Sequence, residues 1–130
     1  MDSHASPSEY LVLSRGQWDK DLPPETIQTT IDHFYSWIDR MVEEGKMRHG
    51  QRLATGGKTL SRNHGITDGP YGEAKEVIGG YWFVLADSLD QAAEYMSGNP
   101  CLACGLVFEV RPLETIKASA FAVTNETPGK

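Results

Sequence analysis

Around a glycine–proline turn, the run Asp68-Gly69-Pro70-Tyr71-Gly72-Glu73-Ala74-Lys75-Glu76 gathers three acids and a lysine. An aspartate in such a turn accepts backbone N–H bonds, and the proline stiffens the loop. Glu73, Lys75 and Glu76 then bring acid, base and acid within one short stretch. That composition fits a polar lid, with Tyr71 as a wall and Lys75 or Glu73 meeting a ligand. It also fits a loop pinned by its own ion pairs. A second concentration lies at Phe108-Glu109-Val110-Arg111. In a strand, Phe108 and Val110 take one face and Glu109 and Arg111 the other. If that second face is covered, the two opposite charges must pair with each other or with a ligand. Glu109 and Arg111 are therefore candidates for a polar cleft, or for a salt bridge at a sheet edge.

Cys101 and Cys104 have the C-x-x-C spacing of a redox pair or of half a zinc site. No second cysteine pair exists and no histidine follows them, so they read as small, partly buried thiols. No spacing of His, Asp and Glu resembles a metal site, and neither a phosphate loop nor G-x-S-x-G occurs. No metal or cofactor is expected. His33 falls within a predicted helix, while His49 and His64 read as surface residues. Among the aromatics of Tyr81-Trp82-Phe83, Trp82 is either core or a platform for a ligand.

A chain of 130 residues has the length of one domain with one core. Its net charge of −6 argues against general affinity for nucleic acid or anionic membranes, which needs clustered cations. Lys46, Arg48, His49 and Arg52 form the one local basic cluster, an anion-holding patch or a solvated strand edge. No apolar run approaches the roughly 20 residues that cross a bilayer. Residues 1–8 lack both the basic start and the apolar stretch of a secretory signal. They read as a frayed arm, and the chain as cytoplasmic.

The elements that must position these groups follow from pattern. Glu9 to Ser14 predicts a strand. Pro23-Pro24-Glu25 opens a helix in which Ile27, Ile31, Phe34, Tyr35, Ile38, Met41 and Val42 recur every three or four residues, and Gly45 stops it. Met47 to Ala54 predicts a second strand. Thr59 to Arg62 and Ile66 to Asp68 predict a small hairpin around Asn63-His64-Gly65. Gly79 to Ala86 is a strand apolar without alternation, the pattern of a strand covered on both faces. Ser88 and Gln91 form a capping box that opens a helix through Met96. Leu106 to Arg111 predicts the last strand, followed by a tail in which Ile116 and Phe121 are apolar enough to dock.

The order is β-α-β-hairpin-β-α-β, the α+β ferredoxin-like plan. It places two helices on one face of an antiparallel sheet. The other face, apolar through Tyr81 to Leu85, needs a cover, and a second copy related by two-fold symmetry supplies one. The expected partner is thus a homodimer.

The run from Asp68 to Glu76, leading through Val77-Ile78-Gly79-Gly80 into Tyr81-Trp82, resembles the signature of the DGPF subgroup of YCII-related proteins. Asp87 to Ala92 and Phe108 to Leu113 match further pieces, so the resemblance covers about Tyr10 to Leu113. It implies a dimeric α+β barrel domain over residues 9–115, with residues 116–130 as a tail. Some YCII-related proteins carry a His on the first helix and an Asp before a proline ahead of the last strand, a proposed acid/base dyad. Here Asn99 precedes Pro100, and His33 falls about one residue out of step. The expected function is binding of a small polar or aromatic molecule in a cleft between sheets, with Glu109, Arg111, Tyr71, Lys75, Glu76 and Trp82 as contacts. An alternative is an acid/base enzyme of isomerase or dehydrohalogenase type on a ring substrate, with Asp68, Glu73, Glu109 or His33 as catalytic candidates. A third is a protein-interaction module linked to sigma-factor regulation.

Overall fold

The computed structural model describes residues 7–69 and 77–129. Its elements are β1 (Ser8–Arg15), α1 (Pro24–Glu43), β2 (Met47–Arg52), β3 (Lys58–Ser61), β4 (Gly65–Asp68), β5 (Ile78–Ala86), α2 (Leu89–Met96), a 3-10 turn (Pro100–Cys104) and β6 (Val107–Pro112). Four strands form one antiparallel sheet in the order β2-β5-β1-β6. Strands β3 and β4 form a separate hairpin. The fold is the predicted α+β ferredoxin-like plan.

The helices form where their signals stand. Pro24 fills the first turn of α1 and Glu25 faces its N-terminal dipole. Gly45, at φ 77°, ends it, and the Gly45 and Lys46 N–H groups donate to the Val42 and Met41 carbonyls at 3.0 and 2.9 Å. Ser88 Oγ caps α2 by accepting from the Gln91 N–H at 3.0 Å, while Gln91 Oε1 accepts from the Asp87 N–H at 2.8 Å. Helix α1 lays Phe34, Trp37, Ile38 and Met41 on a sheet face that offers Tyr10, Val12, Trp82, Val84 and Ala86. Burying one such side chain contributes roughly 1.5–3 kcal/mol, so this layer holds most of the core.

Several boundaries differ from expectation. Strand β2 stops at Arg52 rather than Ala54, and the segment before the last strand folds as a 3-10 turn. Asn99 Oδ1 starts that turn by accepting from the Cys101 N–H at 2.9 Å. In the tail, Ile116 and Phe121 do not dock: both are exposed, because no element of the described chain covers them.

The opposite sheet face carries Leu11, Leu13, Tyr81, Phe83 and Leu85, all half-buried. They alternate with the core residues of β1 and β5, as the uninterrupted apolar run predicts. Tyr81 and Phe83 meet edge to face at 5.9 Å, and the Arg48 guanidinium lies 4.6 Å from the Phe83 ring. Ion pairs border this apolar strip: Glu9 with Arg48 on one side, Glu109 with Arg15 and Arg111 on the other.

Two bulges shape one end of the sheet. Between Arg48↔Phe83 and Gln51↔Tyr81, β2 uses three residue steps where β5 uses two. The extra residue reverses which face the following side chains take. Gly50 sits there because a Cβ would lie 1.8 Å from the Tyr81 carbonyl oxygen. The second bulge falls between Ser14↔Gly80 and Arg15↔Ile78, where Gly79 is the extra residue. A Cβ on Gly79 would meet only Ser14, at 3.4 Å from Oγ. Accordingly, Gly50→Ala is expected to cost more than about 2 kcal/mol, because a core backbone contact must open. Gly79→Ala should stay within about 0.5 kcal/mol of the parent. Urea unfolding of the two variants measures the contrast, and equal losses would remove the bulge argument.

Candidate ligand-binding site

Next to these bulges the helix face of the sheet opens into a cavity of about 660 Å³. Its floor is Ser14 of β1 and Gly79 and Trp82 of β5. Its walls are Ile27, Ile31, Phe34 and Tyr35 of α1, Phe108 of β6 and Cys101 of the 3-10 turn. The loop 16–22 closes one side with Trp18, Asp19, Lys20 and Leu22, and Arg52 stands at the end of β2. Phe34 meets Trp82 edge-on at 5.4 Å, and Phe108 tilts against Trp82 at 6.2 Å. These rings offer the offset and edge-on faces that aromatic partners prefer.

The closing loop is fixed by backbone bonds. Gly16 N–H donates to the Val77 carbonyl at 3.0 Å, and Asp19 N–H to the Cys104 carbonyl at 2.9 Å. The Asp19 carboxylate packs on Gly105, where a Cβ would lie 2.3 Å from Oδ1. Gly105 is also at φ 101°, so two requirements exclude a side chain there.

Of the candidates read from sequence, Arg52 of the basic cluster and Cys101 of the cysteine pair line the cavity, and so does Trp82. It is core and wall at once. Glu109 and Arg111 point to the other sheet face, opposite Leu13 and Leu11. There Glu109 accepts from Arg15 Nε and, at 3.0 Å, from Arg111. The Arg15 hydrogen bond, then that from Arg111, holds the Glu109 carboxyl below the usual carboxylate range. Asp68 is exposed on the hairpin and pairs with Lys58. His33 is exposed on α1. Tyr71, Glu73, Lys75 and Glu76 lie outside the described residues.

Asn99 is 3% exposed, and its Nδ2 has no hydrogen-bond partner among the described residues. Its part in the structure is to cap the turn that carries the two cysteines. Those thiols are more deeply buried than expected. Burial first, and the neighbouring Cys104 second, push the Cys101 thiol up to about 11. Cys104 Sγ lies 3.2 Å from the Thr30 hydroxyl.

Sequence reasoning missed the cavity's Ser14, Trp18, Ile31, Phe34 and Tyr35 as site residues, and placed the cleft on the other side of the sheet. The usable signals were Trp18 inside a polar loop and the glycine pair Gly79-Gly80 at the start of an otherwise bulky strand.

The YCII-related domain matches residues 9–116, and the chain belongs to that family. Among curated proteins, none matches the sequence. A similar solved structure is 5-chloro-2-hydroxyhydroquinone dehydrochlorinase from Burkholderia phenoliruptrix AC1100, in complex with 2,5-dihydroxybenzoquinone. It is 18% identical, covers 82% of this chain and 93% of its own, and superposes with a TM-score of 0.42.

Two outcomes follow from the titrating groups. Because Glu109 is held low, its ion pairs stabilise the fold above about pH 4.5, the ordinary carboxyl value. That contribution fades as the pH falls through the lowered folded value. Glu109→Gln should therefore melt below the parent at neutral pH, by no more than about 1 kcal/mol for pairs a third exposed. The two curves should converge in acid; a gap that persists there would exclude the ion-pair origin. Cys101 should resist disulfide-exchange reagents at neutral pH until the chain unfolds, and rapid labelling of native protein would contradict the burial.

Proposed function

We propose that this member of the YCII-related family holds a single-ring aromatic molecule in the cavity under α1, within a homodimer joined through the open sheet face. The observation that carries the reading is the cavity itself. Among the described residues five rings, those of Trp18, Phe34, Tyr35, Trp82 and Phe108, line it around the hydroxyl-bearing Ser14. Its volume falls in the range of roughly 300–1,000 Å³ typical of ligand pockets, and such sites combine apolar walls with a few polar groups.

Binding is favoured over acid/base catalysis by where the described acid/base candidates fall. Asp68, Glu109 and His33 do not line the cavity, and Glu109 is committed to two arginines. The interaction-module alternative draws on a separate surface, the β3–β4 hairpin. There Leu60 and Ile66 sit opposite each other, 71% and 70% exposed.

The dimer rests on the strip of Leu11, Leu13, Tyr81, Phe83 and Leu85. Contiguous apolar surface of this kind marks an interface. A second copy fits it because the bordering charges already pair within the protomer, leaving a surface that can meet itself about a two-fold axis. Phe83→Glu is expected to turn the parent dimer into a monomer in sedimentation equilibrium, and a monomeric parent would end the assembly proposal. For the cavity, calorimetry should detect phenol or indole binding to the parent. Ile31→Trp, which fills the space from α1, should abolish it without unfolding the protein. Undiminished binding by that variant would place the ring elsewhere.

A further inference from the structure

One rung of the sheet gives the cavity a direction. Gly80 of β5 pairs with Ser14 of β1 on one side and with Arg52 of β2 on the other. Residues on one rung of an antiparallel sheet point to the same face, so Ser14 and Arg52 both address the cavity, their α-carbons about 10 Å apart across two strand spacings. No side chain fits between them: a Cβ on Gly80 would lie 2.8 Å from the Trp82 ring, which covers this position, and 2.9 Å from the Gln51 carbonyl oxygen. Ser14 is only 5% exposed, whereas Arg52 is exposed at the rim.

Arg52 owes this position to the Gly50 bulge. Without the extra residue it would share the open face with Arg48. It also differs from its basic neighbours in pairing. Lys46 lies 3.2 Å from Glu44, Arg48 pairs with Glu9, and His49 lies 3.6 Å from Asp39. Arg52 has no carboxylate partner among the described residues, and neither has Lys20, the other cation of the lining. Among the described residues Asp19 is the one acid of the lining, and its carboxylate is packed on Gly105. In a chain of net charge −6, an aromatic cavity whose rim is locally cationic selects for an anion.

We infer that the ligand is an aromatic acid: its ring lies against Trp82, its anionic group meets Arg52 with Lys20 nearby, and a polar substituent at the far end of the ring meets the Ser14 hydroxyl. This rests on the reading of the cavity as a ring-binding site and assigns its chemical class. Arginine is suited to the role because its planar fork engages a carboxylate through two parallel N–H donors.

The test measures, by calorimetry at low salt, the affinities of para-hydroxybenzoate, its neutral counterpart para-hydroxybenzamide, and benzoate. The parent should bind the hydroxylated acid about tenfold or more tightly than the amide, a difference of about 1.4 kcal/mol. Arg52→Gln should erase that preference while leaving the amide's affinity unchanged, and Arg52→Lys should keep part of it. Added salt should weaken the acid and spare the amide. Ser14→Ala should weaken para-hydroxybenzoate and leave benzoate unaffected. Equal binding of acid and amide by the parent would overturn the anionic class while the cavity reading stands. Failure of all three rings, and of phenol and indole, would overturn both. Since Arg52 is exposed at a strand end, circular dichroism of its variants should match the parent, and the affinities then report the contact alone.

Discussion

At Gly50 the backbone of β2 runs so close to the Tyr81 carbonyl that a side chain has no room. That contact fixes the bulge, and the bulge decides which side of the sheet the end of β2 addresses. Its counterpart at Gly79 does the same for the junction of β1 and β5. Both lie at one end of the sheet, where the strands would otherwise continue their regular alternation and carry core side chains up to the edge. Interrupting the alternation leaves space under the first turns of α1. The glycine pair of β5 divides the work: Gly79 is the extra residue, and Gly80 makes room for the Trp82 ring.

The sheet then has two apolar faces with different fates. The helix face is filled by α1 and α2 along most of its length and becomes a cavity only beside the bulges. The open face has no cover among the described residues, and its charges are confined to the borders, where they pair. A site assigned to the open face, as the alternation of Glu109 and Arg111 suggests, would need a second chain to enclose it. The cavity on the helix face is enclosed by one chain, because the loop 16–22 is tied to both Val77 and Cys104.

Most of the architecture was legible in the residues. The proline-led start of α1, its three-and-four spacing, the Ser88–Gln91 cap and the two-sided apolar run of β5 each arise from local chemistry, and each stands where it was expected. The face assigned to Glu109 and Arg111 also holds, since it needs only strand alternation with Phe108 in the core. The 3-10 turn was not legible: Asn99 and Pro100 signal a helix end as readily as a capped turn, and packing against α1 selects the latter. The cavity was missed for a related reason. Its walls come from α1, a loop and three strands far apart in sequence, and each wall residue taken singly reads as ordinary core.

Local sequence thus determined the elements, their order and which strand had to be apolar on both sides, because these depend on capping, turn chemistry and periodicity within a few residues. Only the tertiary structure decided where Arg52 points. Alternation counted along β2 puts it beside Arg48 on the open face; pairing with β5 inserts one residue at Gly50 and turns it toward Ser14 and the aromatic cavity. A bulge is a property of two strands in register, and neither strand's sequence contains it alone.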